Sequence, residues 1–249
     1  MAESLKGKVA LVTGGSGTIG KAITKALLSE GASVILTARR LAKLEEVKKD
    51  LLEQHVGGDF VGRIHVVPSD IAKEESVMEL FSRIDQIGSV DIVINNAGIN
   101  VAKATPDLTA SDMEAVLGVN VVGAFLCARE AMKRMSAGGR VINIGSISAT
   151  SPRPNSTAYT TSKFALQGLT QSLALDGRSK NISVGIIHPG NVVSEMLSPE
   201  DVEIRGKTEG FLKAEDVAQC VLTMVTLPCS VNVLELTVMP TTQPFIGRG

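Results

Sequence analysis

The chain has 249 residues, with 25 Lys plus Arg against 26 Asp plus Glu, giving a net charge of −1. Near-neutral charge and 3% aromatic residues leave neither a basic face for a phosphate backbone nor stacking platforms for bases, which argues against nucleic-acid binding. With 44% hydrophobic residues, a chain of this length buries roughly 70 to 75% of its unfolded surface, enough for one large core without disulfide or metal staples.

The first residues, Met-Ala-Glu-Ser-Leu-Lys-Gly-Lys, carry charges where a secretory signal needs an apolar stretch, so the expected location is cytoplasmic. Short runs rich in Val and Ile then recur at 9–12, 33–37, 64–67, 91–94, 141–144, 182–187 and 233–238. They do not alternate apolar with polar, the pattern of strands covered on both faces of a parallel sheet. Between them, Ile19, Ile23, Ala26 and Leu27 share one helix face, as do Leu41, Leu44, Val47 and Leu51, and then Val77, Leu80, Phe81 and Ile84. Alternating strand and helix predicts an α/β fold, a doubly wound parallel sheet of about seven strands with helices on both faces.

The longest apolar stretches do not qualify as membrane spans: 115–128 is short and contains Asn120, and 217–234 is broken by Gln219, Pro228 and Asn232. Cys127, Cys220 and Cys229 form no Cys-x-x-Cys pair and His55, His65 and His188 are scattered, so free thiols are expected, with no disulfide framework and no metal site. Two loops, 148–157 and 188–213, are long for such a fold and follow strands. Ligands of open α/β sheets bind beyond the carboxyl ends of the strands, so both loops should overhang the site.

The first motif is Thr13-Gly14-Gly15-Ser16-Gly17-Thr18-Ile19-Gly20, after the first strand and opening the first helix. Glycines there allow a tight turn, close approach of backbone to a pyrophosphate, and close packing of helix on strand. The helix start adds unpaired N–H groups and partial positive charge. About 20 residues on, where NAD sites carry an acidic residue for the ribose, the chain has Ala38-Arg39-Arg40. A carboxylate would repel a 2′-phosphate and an arginine pairs with it, so the expected cofactor is NADP, with NAD less favoured.

Tyr159 and Lys163 lie at i and i+4, one helical turn apart. An ammonium about 6 Å from a phenol, at an effective dielectric of about 20, favours the phenolate by roughly 3 kcal/mol, or about 2 pKa units. That moves the group toward the range useful for acid–base work. Tyr159 is also the only tyrosine, in a chain without tryptophan.

With Asp70, Asn95-Asn96-Ala97-Gly98, Asn120, Ser146 and Pro189-Gly190 in order, the chain resembles the short-chain dehydrogenase/reductases along nearly its whole length. The resemblance implies a single Rossmann-type domain over 1–249 with a substrate loop at about 191–213. It implies hydride transfer between a nicotinamide and a secondary alcohol or its ketone. Tyr159 would be the acid/base, Ser146 would hydrogen-bond the substrate oxygen, Lys163 would lower the tyrosine pKa and hold the nicotinamide ribose, and Asn120 would keep a relay water behind Lys163. Cofactor contacts implied are Gly14, Ser16, Gly17, Thr18, Ile19 and Gly20; Arg39 and Arg40; Asp70, for the adenine, and Ile71; Asn96, Ala97 and Gly98; Tyr159 and Lys163; and Pro189, Gly190, Val192 and Ser194. Small-molecule alcohols or carbonyls would be the substrates, and a tetramer or dimer the assembly.

Three departures stand out. Thr18 replaces a glycine of the family motif and either adds a hydroxyl to the phosphate site or displaces the cofactor slightly. Gly17 replaces the basic residue of many NADP-preferring members, leaving Arg39 and Arg40 to meet the 2′-phosphate. The end, from Glu235 on, looks more like members acting on hydroxy acids or on medium-chain and isoprenoid alcohols, and its uncharged tail from Leu236 to Gly247 would suit a subunit contact. Two further readings are a 3-oxoacyl-thioester reductase, with Arg153 meeting a carboxylate or carrier phosphate, and a non-catalytic NADP-binding sensor.

Overall fold

Successive residues of strand β1 (Val9–Thr13) point to opposite faces, and both faces are covered: Val9 and Leu11 enter one apolar cluster, Ala10 and Val12 another. This is why the strand is apolar throughout rather than alternating. The computed structural model describes residues 4–54 and 60–244. His55 and the last three residues of the uncharged tail, 245–247, lie outside them.

Helix α1 (Thr18–Ser29) leads to β2 (Ser33–Thr37), α2 (Leu41–Gln54) to β3 (Ile64–Val66), and α3 (Glu74–Ile87) to β4 (Ile92–Asn95). After α4 (Ala110–Leu117) and α5 (Ala124–Arg134) come β5 (Arg140–Ile144), α6 (Thr157–Gly177), β6 (Ser183–Pro189), α7 (Pro199–Thr208), α8 (Ala214–Thr226) and β7 (Glu235–Val238). All strand pairs are parallel, in the order β3-β2-β1-β4-β5-β6-β7. The sequence places each strand to within about two residues at its ends. One face is packed by α1, α2 and α8 through Ile23, Leu27, Leu44, Leu51, Val217 and Val221. The other is packed by α3, α5 and α6 through Leu80, Phe81, Ala128, Ala131 and Leu173.

Two expectations are corrected. The stretch 188–213 is not loop throughout, because α7 occupies Pro199–Thr208. It buries no residue, so no apolar period marks it, but Ser198 caps it by accepting the Asp201 N–H, Pro199 opens it, and Glu200 and Asp201 fill its first turn. Second, α4 and α5 run on through a π-helical segment (Gly118–Gly123) as one 25-residue helix, long and apolar enough to cross a membrane by length and composition. Half of its most apolar stretch is buried inside the fold, with Leu126, Cys127, Ala128 and Ala131 in the core, as expected of a core helix.

The order of strands reverses between β1 and β4, and the crevice there opens at their carboxyl ends. Thr13 and Asn96 fix its width. The Thr13 hydroxyl accepts the N–H groups of Asn96 and Ala97, both at 3.0 Å, and the Asn96 amide donates to the carbonyls of Thr13 (3.0 Å) and Gly14 (3.2 Å).

Candidate active site

A cleft of about 830 Å³ lies over this crevice. Gly14 adopts φ +64°, and a Cβ there would come within 2.8 Å of the Ala97 backbone. At Gly15 a Cβ would meet Leu36 at 2.7 Å, and at Gly20 it would collide with the Gly14 carbonyl. Each glycine is therefore required by close approach of chain to chain. At Gly17, by contrast, a Cβ would meet nothing closer than 3.6 Å.

Helix α1 begins at Thr18, and its free N–H groups face the cleft. Glu195 has placed its carboxylate there. The Thr18 N–H donates to Glu195 Oε1 at 3.1 Å, and the Thr18 hydroxyl donates to the same oxygen at 2.8 Å. The helix start thus holds an anion, and Thr18, the departure from the family glycine, supplies part of the hold. A cofactor pyrophosphate at this helix start must displace the Glu195 carboxylate. Glu195→Gln is therefore expected to tighten NADPH binding about two- to fivefold, since a carboxylate gains more than an amide from a helix N-terminus. Calorimetric titration checks this, and unchanged or weaker binding contradicts it.

Along the cleft from this cradle lie Ser16, Ile19, Arg39 and Arg40 after β2, Asp70 and Ile71 after β3, and Asn96, Ala97 and Gly98 after β4. Among the described residues Arg39 and Arg40 are exposed and form no ion pair, leaving their guanidinium groups available to an anion. Asp70 turns one carboxylate oxygen to the Ala72 N–H at 3.3 Å, so it also serves its own turn. Pro189, Gly190, Val192 and Ser194 line the far wall.

On the floor, Ser146 follows β5, and Tyr159 and Lys163 stand on the first two turns of α6. The Ser146 hydroxyl lies close enough to the Tyr159 phenol to oppose its upward shift. Lys163 is buried, 5.4 Å from the centre of the Tyr159 ring, and donates to the Ile144 carbonyl at 2.8 Å. The expected electrostatic lowering of the phenol does not hold in this geometry. Burial pushes the Tyr159 phenol above its ordinary value, and the nearby Ser146 hydroxyl opposes this without overcoming it. Burial acts on the lysine as well, bringing Lys163 down to about 8.

Asn120 does not line the cleft. It sits behind it in the π-helical segment, its amide donating to the Ile99 carbonyl (3.0 Å) and the Ser162 hydroxyl (2.9 Å) while its oxygen accepts the Ile99 N–H (2.8 Å). Its side chain therefore clasps the loop that follows Gly98 to the helix that carries Tyr159 and Lys163.

At the substrate end, Arg153 and Arg205 line the cleft together with Ile99, Ala102, Pro154, Met196 and Leu197. Arg153 is gripped by both oxygens of Glu209, at 3.0 and 2.5 Å, and by the Asn191 side-chain oxygen at 3.2 Å. Gln243 closes the network, accepting the Asn191 N–H at 3.0 Å. Arg205 is paired with Asp201 at 3.0 Å. Neither Glu195 nor Glu209 was assigned a role from sequence, and no local pattern marks them, because their partners lie 177 and 56 residues away.

A glycine cradle at a helix start, two arginines after the second strand and a Ser–Tyr–Lys cluster on the floor define a dinucleotide-dependent oxidoreductase site. Comparison with known proteins agrees. Residues 8–204 match the family model described as short chain dehydrogenase. The chain is 35% identical over 251 residues to farnesol dehydrogenase of Aedes aegypti, covering 96% of this chain and 98% of that one. It superposes on a short chain dehydrogenase from Burkholderia cenocepacia in complex with NADP with a TM-score of 0.84 and 34% identity, covering 95% and 98%. A blue fluorescent protein from a metagenomic library, in complex with NADPH, gives a TM-score of 0.84 at 32% identity, covering 95% and 98%. The chain belongs to the short-chain dehydrogenase family and is an NAD(P)-dependent oxidoreductase.

Proposed function

We propose that this enzyme uses NADP(H) to interconvert a neutral, largely apolar secondary alcohol and its ketone. The observation that carries the reading is the contact of Ser146 with Tyr159, beside Lys163, on the floor of the cleft that the glycine cradle closes. When bound, the dinucleotide supplies or accepts a hydride at the carbinol carbon. Tyr159 gives its proton to the substrate oxygen in reduction and takes it back in oxidation. Ser146 donates a hydrogen bond to the same oxygen as negative charge develops on it. A phenol held protonated by burial is ready for the reductive direction. Lys163 would hold the ribose, and Asn120 would fix the spacing between the loop after β4 and α6. Arg39 and Arg40 support NADP over NAD, because they stand unpaired where the 2′-phosphate would lie.

The substrate class follows from what the arginines are already doing. Arg153 and Arg205 are each matched by a carboxylate, Glu209 and Asp201, so neither is free for a hydroxy acid or an acyl-carrier phosphate. Apolar Ile99, Ala102, Met196 and Leu197 remain, and they suit a medium-chain or isoprenoid alcohol. The relative named farnesol dehydrogenase supports the apolar isoprenoid chain, though its named alcohol is primary rather than secondary. Homo-oligomeric assembly belongs to the same reading, supported by exposed Phe125 on α5 and by Phe164 and Leu175 on α6. The test is a substrate panel followed by nicotinamide absorbance. Neutral secondary alcohols are expected to exceed matched hydroxy acids and 3-oxoacyl thioesters in kcat/KM, and the reverse order contradicts the reading.

A further inference from the structure

His188, the penultimate residue of β6, is 2% exposed and lies beside the end of β5. Its Nδ1 is 2.9 Å from the Ser146 carbonyl oxygen, and the Ser146 N–H points at the same nitrogen at 3.3 Å. One nitrogen cannot both donate to the carbonyl and accept the N–H; the shorter contact, to an oxygen that can only accept, favours the proton on Nδ1. The ring also lies against Gly145, where a Cβ would come within 2.6 Å of it. The peptide that presents the Ser146 hydroxyl is thus held on two sides by one imidazole.

The other ring nitrogen gains nothing from being there. Nε2 is buried and has no hydrogen-bond partner. Glu235 Oε1 of β7 is 3.7 Å away, and the other carboxylate oxygen of Glu235 accepts the Gln167 amide of α6 at 3.1 Å. With the proton on Nδ1, the Nε2 lone pair faces that carboxylate. Among the described residues, Lys163 of α6 is the other charged group acting on the ring, and its charge opposes a second proton, as burial does. An apolar residue would fill this strand end without an orphaned polar atom. The polar ring is accounted for by its hold on Ser146.

Building on the reading of Ser146 as the substrate-oxygen donor, we propose that His188 is a positioning residue that, through Nδ1–H and its packing on Gly145, sets the orientation of Ser146 toward Tyr159. Acting through another side chain, it should change catalysis and the Ser146–Tyr159 contact without changing how the cofactor or substrate is bound.

The test compares His188→Phe with Ser146→Ala, the double variant and His188→Asn, which keeps a donor at the place of Nδ1. His188→Phe is expected to lower kcat on the order of 10- to 100-fold, the size of a small misplacement of a catalytic group, with KM and NADPH affinity within about threefold of wild type. Adding Ser146→Ala to it should cost no more than Ser146→Ala alone, and His188→Asn should recover most of the rate. A second readout needs no turnover. With one tyrosine and no tryptophan in the chain, ultraviolet titration follows Tyr159 alone. Loosening Ser146 removes the contact that lowers the phenol, so the titration midpoint should rise in His188→Phe, as in Ser146→Ala, and return in His188→Asn. A His188→Phe variant with wild-type kcat and midpoint, or losses that simply multiply with those of Ser146→Ala, overturns the proposal. Should the phenylalanine variant not fold, His188→Ala takes its place in both comparisons. An inactive wild-type enzyme would defeat the functional reading, while the titration still decides the role of His188.

Discussion

Replacing Tyr159 by phenylalanine is expected to lower kcat about a thousandfold while leaving NADPH affinity within about threefold of wild type. The substitution removes one oxygen from a ring whose packing it otherwise preserves. That oxygen is the only phenol in the chain, lies close to the Ser146 hydroxyl, and sits in the cleft beside the buried Lys163. Initial rates and a cofactor titration on the same preparation separate the two effects. Retained turnover would move the proton transfer to another group, and lost cofactor binding would make Tyr159 a wall of the nucleotide site rather than the acid/base.

Arg39→Ala should weaken NADPH binding about 10- to 100-fold, the range of a lost hydrogen bond to a charged group, and leave NADH binding nearly unchanged. The asymmetry is the informative part. Only the 2′-phosphate distinguishes the two cofactors, and among the described residues Arg39 has no internal carboxylate that would have to be released first. Equal loss with both cofactors would place Arg39 on a part that they share. No loss with either would shift the contact to Arg40, since Gly17 offers no side chain there.

Much of this was legible because the signals are local. Apart from β7, which alternates exposed and half-buried residues, the strands are short apolar runs because both sheet faces are covered, and Gly20 is demanded by a contact within its own turn. Tyr159 and Lys163 are brought together by one helical turn. Helix α7 was missed because it buries nothing, although its Ser-Pro-Glu-Asp opening at 198–201 is a helix start by capping chemistry alone. The electrostatic expectation for Tyr159 failed for a different reason. A pairwise charge argument assigns the lysine its full effect and omits what burial does to both partners. The Glu195 carboxylate on Thr18, the Glu209 grip on Arg153 and the His188 hold on Ser146 are all contacts between distant segments. Their residue types are ordinary and only the fold makes them partners.

The most direct measurement is the rate of NADPH formation by the purified enzyme given NADP and a neutral isoprenoid or medium-chain secondary alcohol, beside the same assay with NAD. The account predicts clear turnover with NADP and at least tenfold lower kcat/KM with NAD. Equal or better turnover with NAD, or turnover confined to carboxylate or thioester substrates, would contradict it.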